Sequence, residues 1–324
     1  MTTSKTNLEA HSLRTQSPEF LAAVELERSG DWKNAPAAYE DAIDAIMRHS
    51  AGQPTMVLGE AQCLLGRAYR RLSRYSQCES SLTDALHTFE QAKLTDLPEY
   101  CFVLNELGMR CLEGFEFDRA REYLTRVSEY FSSRPNLSHP EVATNRLCFS
   151  ELHLYSGQLA RLLHDNQEAV KIRRDLLGET HEGYFEALAE YGMAQASFGN
   201  FGEAESTLRT TLAAGEKALG SEHPQLVPVI LYLTSVLEER GTPRQVPQLL
   251  ERADEICRRR IGYDVRWRMQ IQMRQAAALA RRWQKENALL HINNALTIGE
   301  SIFPLDHPRP PSTSLRSFLA VSVI

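Results

Sequence analysis

Leu65-Gly66-Arg67-Ala68-Tyr69-Arg70-Arg71-Leu72-Ser73-Arg74-Tyr75-Ser76-Gln77-Cys78-Glu79-Ser80-Ser81-Leu82-Thr83-Asp84-Ala85 holds two helical patterns joined by a turn. Leu64, Leu65, Ala68, Tyr69 and Leu72 form one apolar stripe, and Leu82, Ala85, Leu86 and Phe89 form another, both at spacings of three and four residues. The arrangement returns along the chain. A turn residue is followed by an aromatic two positions on, a small residue three after that, and a second small residue seven further. Gly30, Trp32, Ala35 and Ala42 follow it, as do Ser73, Tyr75, Cys78 and Ala85. Phe117, Ala120 and Val127 after Gly114 continue it, then Gly199, Phe201, Ala204 and Thr211; weaker copies run through Gly157 to Ala169, Gly241 to Ala253 and Trp283 to Ala295. The last small residue falls at 42, 85, 127, 169, 211, 253 and 295, steps of 43 and then 42 five times. A fixed period of this length is the mark of stacked supersecondary units, none of which can bury its own apolar face alone.

A second marker keeps the same beat. Pro54, Pro98, Pro140, Pro224 and Pro308 open repeats, with Glu182 and Arg266 at the two other places. His139, His223 and His307 precede three of these prolines, and His181 precedes Glu182. Proline suits a first helical turn, where its missing N–H has no partner to lose. The histidines therefore read as turn and cap residues, since positions 42 apart lie in different repeats and do not converge on one metal. Gly30, Gly157, Gly199 and Gly241 supply the reversal between paired helices.

With Leu65-Gly66, Tyr69, Tyr75, Leu82 and Ala85, and again Leu107-Gly108, Phe117, Ala120 and Leu124, the chain resembles the tetratricopeptide repeat. The 42-residue step and Glu216-Lys217-Ala218-Leu219-Gly220-Ser221-Glu222-His223-Pro224 are similar to the long-repeat variety of kinesin light chains and related proteins. The resemblance implies an all-α fold, a right-handed α-solenoid of about seven helix pairs. Residues 18–308 form the array, 1–17 a disordered leading segment, and 309–324 either a short capping helix or the truncated start of an eighth repeat. No heptad-rich segment precedes residue 18, so the chain is not identified as a kinesin light chain itself.

Composition agrees with a folded helical protein. Hydrophobic residues are 43% and charged residues 24% of 324, and the net charge of −6 excludes a chain-wide basic surface for phosphates. Neither a signal-peptide core nor an apolar run of 18 residues occurs, so the expected location is cytoplasmic. Six scattered cysteines form no C-x-x-C pair and read as buried thiols. No phosphate loop, G-x-S-x-G elbow or H-E-x-x-H motif is present, and His164-Asp165 reads as helix-end chemistry, so no enzyme, cofactor or metal is expected.

Function is expected on the face of the first helices of each pair, which the resemblance makes the concave one. The register selects Cys63, Arg67, Arg70 and Arg71, then Phe102, Asn105, Met109 and Leu112, then Leu147, Glu151, Leu154 and Tyr155. The partner-binding set is Arg67, Arg70, Arg71, Asn105, Met109, Glu151 and Tyr155: arginines for carboxylates, Asn105 for an extended backbone, Met109 and Tyr155 for apolar anchors. Kinesin light chain repeats commonly place Asn where Asn105 stands, but the equivalents here are Cys63, Leu147, Ala189, Leu231 and Met273. Tryptophan-acidic cargo peptides are therefore not the expected ligands, and the groove should be more apolar and suited to a helix.

The leading reading is a noncatalytic interaction scaffold that holds a protein or peptide partner. Charge offers an alternative. Residues 240–285 carry twelve Lys or Arg against four Asp or Glu, with Arg258, Arg259, Arg260, Arg266, Arg268, Arg281 and Arg282 as a basic patch. Such a patch fits a nucleic acid, an anionic surface or the acidic repeats of a second copy, although nucleic acid is not the default partner. A third reading makes the chain a noncatalytic fragment of a larger multidomain enzyme or regulator.

Overall fold

The computed structural model describes residues 17–259 and 265–302. Among these lie fourteen α-helices and one short 3₁₀ turn, Pro243–Gln245, with no strand. The chain divides into two compact lobes, one ending at Leu152 and the other beginning at His153.

The first lobe holds α1 (Pro18–Arg28), α2 (Ala35–His49), α3 (Met56–Arg71), α4 (Tyr75–Gln91), α5 (Pro98–Glu113), α6 (Phe117–Ser132) and most of α7 (Pro140–Tyr155). The second holds α8 (Leu159–Leu177), α9 (Glu182–Ser197), α10 (Phe201–Leu219), α11 (Leu226–Glu239), α12 (Val246–Arg259), α13 (Val265–Ala280) and α14 (Lys285–Ile302). Within each lobe helices pair inside a repeat, as α3 with α4 and α9 with α10, and second helices pack on the first helix of the next repeat, as α2 on α3 and α8 on α9.

The periodic small residues fill the tightest part of the core: Ala42, Ala85, Val127, Ala169, Thr211, Ala253 and Ala295 are all buried. The first helix of a pair approaches as closely as its residues allow. A Cβ on Gly108 would lie 2.6 Å from Leu124 Cδ2, and one on Gly192 would lie 2.7 Å from Leu208 Cγ. Around them Tyr39, Leu82, Phe89 and Leu104 fill the first lobe's core, and Ile230, Leu231, Leu233 and Leu250 the second's. Each such side chain contributes about 1.5–3 kcal/mol through burial.

The turns keep one conformation even where the sequence changes. Residues 30, 73, 115, 157, 199, 241 and 283 all have positive φ; four are glycines, but Ser73 (57°), Phe115 (60°) and Trp283 (60°) are not. In the third repeat Phe115, not the neighbouring Gly114, makes the reversal, because Gly114 closes α5 with φ of −87°. Helix starts are similarly uniform. Nδ1 of His139, His181 and His223 accepts from the backbone N–H two residues on, at 3.3, 3.0 and 3.3 Å. That geometry fits the cap role read from their spacing. Pro98 and Pro140 are first helical residues, whereas Pro54 and Pro224 stand two residues before Met56 and Leu226, in the approach to the helix. Residues 1–16 and 303–324, and with them His307, Pro308 and the 309–324 tail, lie outside the described residues.

Candidate functional site

The predicted partner-binding residues lie on α3, α5 and α7, all but Tyr155 in the first lobe. The structure gives them unequal freedom. Arg70 is buried, its side chain 7% exposed, and it donates through Nε to Glu106 at 3.1 Å and through Nη1 to Glu113 at 2.8 Å. Both carboxylates belong to the next repeat, so Arg70 clasps α3 to α5. Asn105 has no exposed surface. Its Nδ2 donates to Glu141 O at 3.0 Å and Glu141 Oε2 at 2.7 Å, while its Oδ1 accepts from Asn145 Nδ2 at 3.1 Å. Asn145 also donates to Leu124 O at 3.0 Å and accepts from Ser128. The expectation that Asn105 would hold a partner's backbone is thus corrected: the backbone it holds is that of its own next repeat, at the start of α7. The same correction applies to Arg70, whose carboxylate partners are internal.

The other members remain at the surface. Arg67 reaches back to Glu27 at 2.5 Å and lies over the Phe102 ring at 5.2 Å, and Arg71 lies over the Trp32 ring at 5.4 Å. Phe102, Met109 and Glu151 are half-buried, with one flank open to solvent. Cys63 and Leu112 are buried, which removes them from any contact surface. Leu154 and Tyr155, in the second lobe, are 40% and 53% exposed. The first lobe therefore presents a wall whose polar residues are tied into inter-repeat bonds, with a half-open stripe of Arg67, Phe102 and Met109 along it.

The basic patch is largely offset by its own chain. Arg258 pairs with Asp254 at 2.5 Å, Arg259 with Glu222 and with Glu255 at 2.8 Å, and Arg281 with Glu238. Arg252 joins Glu216 at 2.5 Å. Arg268 and Arg282 carry no ion pair among the described residues. Arg260 and the side chain of Arg266 fall outside the described residues. Paired surface arginines present little net field to a polyanion.

Sequence reading missed the acidic halves of the clasps, Glu106, Glu113 and Glu238. The signal was available: opposite charges recur 36 and 43 residues apart, at Arg70 with Glu106 and Glu113, and at Glu238 with Arg274 (3.4 Å) and Arg281. Asp165 pairs with His153 at 3.0 Å, not with its neighbour His164, and it lies inside α8 rather than at a helix end. All six cysteines are buried free thiols. Burial pushes Cys78 and Cys101 up to about 12 and Cys111 to about 11, far from the thiolate a nucleophile needs. Among the described residues no cluster of His, Cys, Asp and Glu could hold a metal ion, and no helix is long and apolar enough to cross a membrane.

Neither a protein-family model nor a curated protein matches the sequence. Solved structures do match. The chain is similar to a Rap protein complexed with competence and sporulation factor at 11% identity and TM-score 0.59, over 90% of this chain and 99% of that one. It is also similar to BtubC (BKLC) from P. vanneervenii at 17% identity and TM-score 0.54, over 72% and 93%. A Podosopora anserina protein with nearly identical TPR-like repeats matches at 20% identity and TM-score 0.45, over 60% and 93%. At these identities the likeness concerns the fold, which is that of a TPR-type helical repeat protein.

Proposed function

We propose that the chain is a noncatalytic protein-interaction scaffold whose first lobe holds a partner segment against α3, α5 and α7. The observation that carries this reading is the wall just described. Its polar residues are spent on the Arg70 and Asn105 bonds, which stiffen it, while Arg67, Phe102 and Met109 keep an open flank. A rigid wall loses little entropy on binding, and half-open aromatic and Met side chains suit an apolar anchor. Because Asn105 is committed to Glu141, no side-chain amide at that position holds an extended strand. An amphipathic helix, which satisfies its own backbone, is the better occupant. The Rap structure contains a bound factor, and what is carried over from it is that this fold can accommodate one. A nucleic-acid role for residues 252–282 takes second place, since most of the described arginines there are already paired.

Affinity capture from a soluble extract tests the reading, comparing the native chain with Met109→Glu, a half-buried position that takes no part in the Arg70 or Asn105 bonds. A partner held by the native chain and lost by a variant of unchanged circular dichroism supports the wall. Equal retention of every captured protein by both chains removes it.

A further inference from the structure

In the second lobe an open cleft of about 410 Å³ lies between α12 and the end of α13 with the turn after it, and His291 of α14 completes its lining. Its lining includes Glu251, Asp254, Arg258, Gln275, Arg282 and His291. The repeat register shows how unusual that lining is. Asp254 stands where the other repeats place Ile43, Leu86, Ser128, Val170, Leu212 and Leu296, and Gln275 where they place Leu65, Leu107, Phe149, Tyr191 and Leu233. Asp254 is nonetheless only 4% exposed. A buried carboxylate costs stability unless it is well paired, and its ion-pair partner is Arg258, whose side chain is 70% exposed. Apolar residues at both positions would fill the space as they do elsewhere in the array. Two polar residues side by side in columns that are otherwise mostly apolar, one of them a buried carboxylate, are a local departure at a cost in stability, as expected where a site is kept for binding.

A run of side-chain hydrogen bonds joins two of the lining residues through Gln272. His291 Nδ1 lies 2.8 Å from Gln272 Oε1, and Gln272 Nε2 donates to Gln275 Oε1 at 3.1 Å. This chain fixes the Gln275 amide and leaves its nitrogen for a ligand. Of the charged lining residues, Arg258 is matched by Asp254 and Glu255 by Arg259. Glu251 and Arg282 have no ion pair among the described residues, and they are of opposite sign. We infer that this cleft binds a small zwitterion of the amino-acid or short-peptide class, its ammonium group toward Glu251 and its carboxylate toward Arg282. The site is separate from the wall of the first lobe and stands whether or not that wall holds a partner.

The test uses the full chain, with thermal shift and calorimetry against the twenty common amino acids and a set of dipeptides. The expected result is that at least one zwitterion binds. Its N-acetyl and carboxamide forms should each bind at least tenfold more weakly, as should the zwitterion to Glu251→Gln or Arg282→Gln. An Asp254→Leu, Gln275→Leu double variant should unfold at higher temperature than the native chain and lose the ligand. The inference is overturned if none of the probes binds, if the N-acetyl form binds as tightly as the parent, or if the double variant is less stable than the native chain.

Discussion

The clasp of the first lobe sets one cation, Arg70, between two carboxylates, Glu106 and Glu113; that of the second sets one carboxylate, Glu238, between two cations, Arg274 and Arg281. The positions are equivalent, offset by four whole repeats, so the geometry is the same and only the signs are exchanged. Their surroundings differ. The side chains of Arg70, Glu106 and Glu113 are 7%, 3% and 13% exposed, whereas Glu238, Arg274 and Arg281 are 19%, 29% and 53% exposed. Coulomb attraction is much the same in kind, but water competes more for the second clasp, at Arg281 above all, than for the first. What the pair teaches is that the helix scaffold fixes where ionic contacts form, while burial fixes how much depends on them.

Removing the central residue should separate the two most sharply. Arg70→Ala removes the buried cation that Glu106 and Glu113 share and should cost about 3–5 kcal/mol in urea unfolding. Replacing Arg70, Glu106 and Glu113 together by Met, Leu and Leu should restore most of that loss. A triple variant as unstable as Arg70→Ala would show that the site depends on something other than charge. Gly108→Ala, which forces a methyl group against Leu124, should cost about 1–3 kcal/mol and so rank between the two clasps. Glu238→Ala, at the more exposed clasp, should cost clearly less than Arg70→Ala. If it matches Arg70→Ala, burial is not what distinguishes the lobes.

Two smaller effects sharpen the contrast further. Trp283 holds the left-handed turn with 83% of its surface exposed, where four repeats use Gly, so Trp283→Gly should raise the second lobe's stability by up to about 1 kcal/mol. In the first lobe, burial holds the His139 imidazole below its ordinary value of 6.5, against an upward pull from Glu99. The folded chain therefore binds this proton less readily than the unfolded chain. Stability falls as pH drops below about 6.5 and levels off once the folded imidazole is also protonated. The signal should follow Trp32, which is buried in the first lobe, and part of the slope should vanish in His139→Asn.

The fold was readable because its rule is local and repeated. Seven small residues at one spacing require a close helix contact, and each of the seven is buried. Turn conformation was readable at the four glycines but not at Ser73, Phe115 and Trp283, where the scaffold imposes a backbone that the residue type does not favour. The binding surface was less readable. Register correctly put Arg70 and Asn105 on the first helices, yet whether a polar side chain faces a partner or the next repeat depends on the residue 36 or 43 positions further on. Asn105 has the residue type of a partner-binding position, but Glu141 and Asn145 occupy its amide. Asp254 and Gln275 carried a signal of another kind, polar letters in columns otherwise mostly apolar, which appears only when the repeats are laid over one another.

The inverted clasps also constrain how such a chain can be rearranged. Its repeats share one helix-pair plan and one register, so shape alone distinguishes their order only weakly. Charge supplies the distinction. A shuffled chain that set the repeat of Arg70 directly before that of Arg274 and Arg281 would bring three guanidinium groups together with no carboxylate among them. The clasps thus act as a spelling check on repeat order, penalising a permuted or swapped assembly that the apolar core would accept.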